Sequence, residues 1–157
     1  MAPQVSSSSP ARLIATLAGI GLVPIAPGTL ASVVALPFAW MLLWFGGATA
    51  MALSLLAAIA VGTWACDAYA QISGSSDPSE CVVDELAGQW LACAFAPLSL
   101  SGFAVAFVLF RLFDIVKPWP VSAAERLSGG SGIMADDLVA GAIAGAIVAG
   151  ASALGLV

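Results

Sequence analysis

Two acidic pairs, Asp84-Glu85 and Asp136-Asp137, and one mixed cluster, Arg111, Asp114 and Lys117, stand out from an otherwise apolar chain. Any metal bound there would be held by hard oxygen donors. The sequence has no histidine, and its three cysteines, Cys66, Cys81 and Cys93, include no C-x-x-C pair. Oxygen-only sites suit magnesium, calcium or manganese. Magnesium commonly takes one or two protein carboxylates and completes its shell with water and phosphate oxygens. The acids at 84, 85, 114, 136 and 137 outnumber the bases at 111 and 117, five to two. A bound cation would relieve that imbalance, so the pattern points to a divalent cation and a phosphate-bearing ligand. Gly28-Thr29 and Gly129-Gly130 could offer backbone N–H groups to a phosphate, although each alone is read more simply as a turn.

Each charge also has a plainer role. Asp84, Glu85, Asp136 and Asp137 fall where helix amino ends are expected, and Arg111 and Lys117 at a carboxyl end. Such placement is worth about 0.3–1 kcal/mol through the helix dipole. The set as a whole resists that explanation. These six and Asp114 are seven of the thirteen charged residues, and a charge near a membrane interior costs about 2.5–3.5 kcal/mol.

The elements that must carry these residues follow from composition. Of 157 residues, 61% are hydrophobic and 8% charged, against about 25% charged in a soluble domain. The expectation is an all-α, polytopic membrane bundle of about five spanning helices (between four and six), with a short N-terminal interfacial or re-entrant helix. Residues 1–11 read as a disordered tail and residues 12–157 as one domain. Leu13–Val23 falls short of the ~20 residues a span needs. With no hydrophilic mature protein behind it, it does not read as a signal peptide.

Pro24, Pro27 and Gly28 break the pattern, and Thr29 or Ser32 is placed to cap the next helix. Spans are expected over 30–45, 49–65, 82–97, 102–116 and 138–157, with a turn at Gly46-Gly47 and polar loops over 67–80 and 118–135. Pro118 should stop the fourth helix near Val116. Gly141 and Gly145 form a small-x-x-x-small face for close helix packing. The odd cysteine count argues against a disulfide framework or a zinc site, and Cys93 reads as a small hydrophobe. Placing Arg12 in the cytoplasm puts Arg111, Lys117 and Arg126 there too, as the positive-inside rule expects. Every polar cluster (24–32, 77–85, 111–120 and 128–137) then lies at one membrane surface. No basic nucleic-acid face is present.

The stretches P-I-A-P-G-T-L-A-S, V-V-D-E-L-A-G, F-R-L-F-D-I-V-K-P-W-P and G-G-S-G-I-M-A-D-D-L-V-A-G occur in that order. Together they resemble the phosphatidylglycerophosphatase A family, over residues 15–150. The resemblance implies a multi-pass enzyme of the bacterial inner membrane, dependent on Mg2+. It would remove the terminal phosphate of phosphatidylglycerophosphate to give phosphatidylglycerol in phospholipid biosynthesis. Two positions depart from the family pattern: Ala31 replaces a usual glycine, and Ser128 stands where a family member has histidine before the glycine pair.

Elimination narrows the mechanism. Without histidine there is no phosphohistidine, and no histidine acid or base. No C-x5-R motif is present, nor a D-x-D-x-T or D-x-D-x-V motif. Metal-assisted phosphoryl transfer remains. On this reading Asp84, Glu85, Asp136 and Asp137 supply the metal ligands. Asp114 is a further ligand or orients the attacking water. Asp84, Asp114, Lys117 and Asp137 form the catalytic group. Arg111 and Lys117 hold the phosphate, and Thr29 and Ser32 hydrogen-bond to its oxygens. Glu80 reads as a solvated loop acid. A small ion-binding transporter or a non-catalytic membrane subunit is the alternative, though transporter acids favour the membrane midplane. Oligomeric state is left open.

Overall fold

The computed structural model describes residues 9–157, and all regular structure in that range is helical. α1 is Pro10–Ala15, α2 Pro27–Ser73, α3 Val83–Ala94, α4 Leu100–Val116, α5 Val121–Ala124 and α6 Gly129–Ala153, with a 3-10 turn at Ile20–Leu22. α2 and α6 are long and apolar enough to cross a membrane by length and composition. Large apolar side chains on α2 and α4, among them Trp44, Phe45, Leu56, Val108 and Ile115, are exposed. Exposed apolar side chains in such number are uncommon on a soluble surface.

α2 is two helices joined at a kink. Gly47 adopts φ 62° and ψ −159°, a conformation open to glycine because it lacks a Cβ. The arms 27–46 and 48–73 return to the same end of the bundle, where Gly28 lies against Glu85 and Asp67 against Gly130. The turn expected at Gly46-Gly47 is therefore present. Pro27 opens the first arm in the first turn, where its missing N–H is not needed. The N-cap is Ala26, so neither Thr29 nor Ser32 caps this helix. The hydroxyl of Ser32 instead donates to the Gly28 carbonyl at 2.9 Å. The second arm passes the expected end at Ala65 and stops at Ser73, where Gly74 takes φ 72°.

α3 has 12 residues, about 18 Å of helix, against about 30 Å of hydrocarbon core. The span expected over 82–97 is shorter than a full crossing, because Phe95 caps the helix and Pro97 follows. α3 is packed between α2 and α6. A methyl on Gly141 would strike the Gly88 carbonyl, and one on Gly145 the Phe95 ring. The glycine face of α6 is thus the seat of α3. The Trp90 indole N–H donates to the Ala35 carbonyl at 3.0 Å, tying α3 to the first arm. Phe103, Phe110 and Met51 fill the centre, with Trp40 edge-on to Phe103 at 5.0 Å.

Four local expectations change. Leu13–Val23 is not one helix: after α1 the chain turns through positive φ at Leu17, Ala18 and Gly19. It then packs on the 80–82 segment, where the Val82 amide donates to the Ala15 carbonyl at 2.8 Å. The tail boundary at residue 11 falls inside α1, which Ser9 caps and Pro10 opens; residues 1–8 lie outside the described residues. Cys66 and Cys81 form a disulfide across 15 residues, because the 74–81 loop folds Cys81 back under the second arm. Finally, α6 starts at Gly129 within the expected 118–135 loop, so Asp136 and Asp137 lie two turns inside a helix. The dipole reading fails for these two, since that effect is confined to the first turn.

Candidate active site

The polar ends of these helices enclose one cavity of about 750 Å³. Its walls come from all four motif stretches: Gly28 and Thr29, Asp84 and Glu85, Arg111, Asp114 and Lys117, and Gly129 with Asp136 and Asp137. The 76–81 loop closes one side.

Asp84 and Glu85 sit in the first turn of α3. Asp137 reaches them from α6, and one carboxylate oxygen from each of the three lies within 4.8 Å of the others. Gly28 makes room for the arrangement, since a methyl there would overlap the Glu85 carboxylate. Asp84 Oδ1, Glu85 Oε2 and Asp137 Oδ2 are buried without a hydrogen-bond partner. Buried unpaired carboxylate oxygens are costly. No ion pair found among the described residues involves any of the three acids. Three converging hard oxygens with open valences fit a divalent cation such as magnesium.

The basic residues stand beside this trio, each already engaged. Arg111 Nη1 is 2.7 Å from Asp114 Oδ2, the i,i+3 pairing that the spacing predicts. The same nitrogen reaches Ser32 Oγ at 3.5 Å, while Arg111 Nε is buried without a partner. Ser32 is fully buried and is not part of the cavity wall. It holds Arg111 from behind instead of facing the cavity.

The same i,i+3 spacing would set Lys117 beside Asp114. It caps α4 with φ 48°, outside the helical register, and turns elsewhere. Its Nζ donates to Asp136 Oδ2 at 2.8 Å and to Glu125 Oε1 at 2.7 Å. Burial pulls the Lys117 pKa down, but these two hydrogen bonds outweigh it and hold the pKa above the ordinary lysine value. Asp136 therefore stands apart from the trio, as the partner of Lys117.

Two further residues matter that motif reading passed over. Asp67, on the second arm, accepts from the Gly130 amide at 3.2 Å and from Gln71 Nε2 at 2.8 Å. It thus occupies part of the N-terminus of α6 that sequence reading offered to a phosphate. Its signal was the first acid after a long apolar run, opposite a glycine pair that allows close approach. Glu125 carried no signal: it is an ordinary acid in a polar stretch. Glu80 stays in the turn before α3, outside the helix.

The phosphatidylglycerophosphatase A family model matches residues 13–152. The chain belongs to that family. The Escherichia coli phosphatidylglycerophosphatase A is 37% identical over 147 residues, covering 92% of this chain and 85% of the relative. The Haemophilus influenzae phosphatidylglycerophosphatase A is 34% identical over 139 residues, covering 87% and 85%. A Bacteroides thetaiotaomicron protein, whose assigned name of phosphatidylinositol-3-phosphatase is itself a proposal, is 39% identical over 137 residues, covering 82% and 85%. No solved structure matches the chain. As a phosphatidylglycerophosphatase A family member the protein is a phosphatase, and the four stretches that carry the family resemblance are the four that wall the cavity.

Proposed function

We propose that the protein is a magnesium-dependent phosphatase that hydrolyses phosphatidylglycerophosphate to phosphatidylglycerol and phosphate, in bacterial phospholipid biosynthesis. The observation that carries this reading is the convergence of Asp84, Glu85 and Asp137, from two helices, beside Arg111 and Lys117 in one cavity. Asp84, Glu85 and Asp137 would hold the cation. When bound, it supplies charge to the phosphoryl oxygens and lowers the pKa of coordinated water.

The chain's own groups do the rest. Lys117 and Arg111 bind non-bridging phosphate oxygens and offset charge that builds as the P–O bond to the glycerol breaks. The unpartnered Nε–H of Arg111 is a free donor for this purpose. Thr29, on the cavity wall, adds a hydroxyl. Asp114, anchored to Arg111, orients the attacking water and accepts its proton. Asp136 positions Lys117, and Ser32 positions Arg111.

The placement suits a lipid. α2 and the rest of the bundle would lie in the bacterial inner membrane as a multi-pass domain, with α3 and α4 completing their crossings through flanking loops. The cavity would open at the cytoplasmic surface, where the bases gather. No charged residue lies between Asp137 and the C-terminus or between Arg12 and Asp67, so the opposite end of the bundle is uncharged. The acyl chains stay in the bilayer and only the head group enters the cavity.

The deciding experiment is phosphate release by the purified protein in detergent, with and without magnesium. Phosphatidylglycerophosphate and phosphatidylinositol 3-phosphate are offered in parallel, because one relative carries the second substrate in its name. Magnesium-dependent release from the first, at least tenfold faster than from the second, is expected. Release indifferent to magnesium removes the metal reading, and preference for the inositol lipid removes the substrate reading.

A further inference from the structure

Lys117 is bound by two acids that differ in everything except distance. Asp136 Oδ2 lies 2.8 Å from Nζ and Glu125 Oε1 2.7 Å. The Asp136 side chain is 9% exposed and fixed two turns inside α6. The Glu125 side chain is 47% exposed and ends the four-residue helix α5. Releasing Asp136 would strand a buried charge, whereas Glu125 on release regains water.

Charge makes one of the two partners superfluous once substrate arrives. A phosphomonoester brings about −1.5 to −2 at neutral pH. One lysine already facing two carboxylates cannot attract it; the approaching oxygens meet a local excess of negative charge. Exchanging the exposed carboxylate for a phosphate oxygen keeps Lys117 doubly bonded and removes a like charge from the site.

Resting on the reading of Lys117 as a phosphate contact, we propose that Glu125 is a displaceable counter-ion. It holds Lys117 in place while the cavity is empty and yields to the terminal phosphate, so the 118–128 segment loosens as substrate enters. Asp136 stays on Lys117 throughout. Glu125 is a positioning residue, and it sets the affinity for a dianionic phosphate.

The test is Glu125→Gln, with Glu125→Asp as the conservative control, and inorganic phosphate as the probe. In Glu125→Gln the inhibition constant for phosphate and the KM for phosphatidylglycerophosphate should fall by about tenfold at low salt. The difference should shrink at high salt, as screening requires. Glu125→Asp should behave as the parent. A second readout needs no turnover: trypsin cleavage after the exposed Arg126. Phosphate should accelerate cleavage of the parent, and Glu125→Gln should be cut fast with or without it.

An unchanged KM, unchanged phosphate inhibition and unchanged cleavage overturn the proposal, as does a loss of kcat at constant KM. Lys117→Met separates the two levels. If it keeps the parent's KM and phosphate inhibition, the reading of Lys117 fails and the proposal with it. If it loses phosphate binding while Glu125→Gln matches the parent, the proposal alone fails.

Discussion

Asp136 and Asp137 are adjacent in the chain yet serve different neighbours: Asp136 accepts from Lys117 at 2.8 Å, while Asp137 converges with Asp84 and Glu85. Successive residues on a helix point about 100° apart, so one pair of acids feeds two parts of the cavity. The two should therefore fail differently. On the proposed magnesium reading, Asp137→Asn, like Asp84→Asn, should lower kcat by at least ~100-fold, because it would remove a ligand to the cation. Asp136→Asn should cost about 10–100-fold, as losses of supporting partners do, and mainly through KM. Steady-state kinetics on protein shown to be inserted and monodisperse distinguish the two patterns.

Gly28→Ala should damage the site without touching a charged group. The added methyl would overlap the Glu85 carboxylate, and forcing an extra methyl into packed surroundings costs about 1–3 kcal/mol. Activity should fall at least about tenfold and the magnesium needed for half-maximal rate should rise. Ala31→Gly is the contrast. Ala31 is fully buried on the same arm, and glycine there should cost about 0.5–1 kcal/mol of helix stability with kcat unchanged. A magnesium titration of both variants, with a thermal melt, tests this pair.

Much of this was legible in the chain because apolar runs and their breaks are local signals. Gly46-Gly47 and Pro118 mark helix ends that the structure keeps, and the i,i+3 spacing of Arg111 and Asp114 foretells their ion pair. What stayed hidden depends on long-range contact. Lys117 leaves α4 in a left-handed conformation, so helix spacing misassigned its partner. The S-G-G-S-G stretch reads as a loop by propensity, yet Asp67, 63 residues away, binds the Gly130 amide and α6 extends over it. Cys66 and Cys81 meet through the fold of the 74–81 loop, which cysteine counting cannot see. Ser32 looked like a cavity hydroxyl and is a buried support for Arg111.

Lys117 also sets an expectation for pH. Its pKa in the folded protein lies above the unfolded value, because its bonds to Asp136 and Glu125 outweigh its burial. Stability contributed by the charged lysine is thus fully present below the unfolded value of about 10.4. It is lost only as pH rises through the still higher folded value. Lys117→Met should lower the melting temperature by an amount that stays constant from neutral pH to about pH 9.5. A difference that shrinks across that range would mean that Lys117 loses its proton earlier than its partners imply.

The disulfide gives a way to test which compartment the cavity faces. Cys66 and Cys81 close the same end of the bundle as the acids of the cavity, and Cys81 is part of the cavity wall. Disulfides persist in oxidising compartments and are rare in the cytosol, where thiols are kept reduced. A cavity opening to the cytoplasm therefore predicts that the pair is a dithiol in growing cells and joins on isolation in air. Acid-quenched cells, alkylated before and after reduction and read by mass spectrometry, report the state directly. Both thiols should carry the first label. A disulfide already formed in the cell would place this end of the bundle outside the cytoplasm, and would reverse the proposed orientation. Isolated protein should then show the value of the link: closing a loop of this size contributes about 3 kcal/mol, so reductant should lower the melting temperature while the geometry of Asp84, Glu85 and Asp137 still supports turnover.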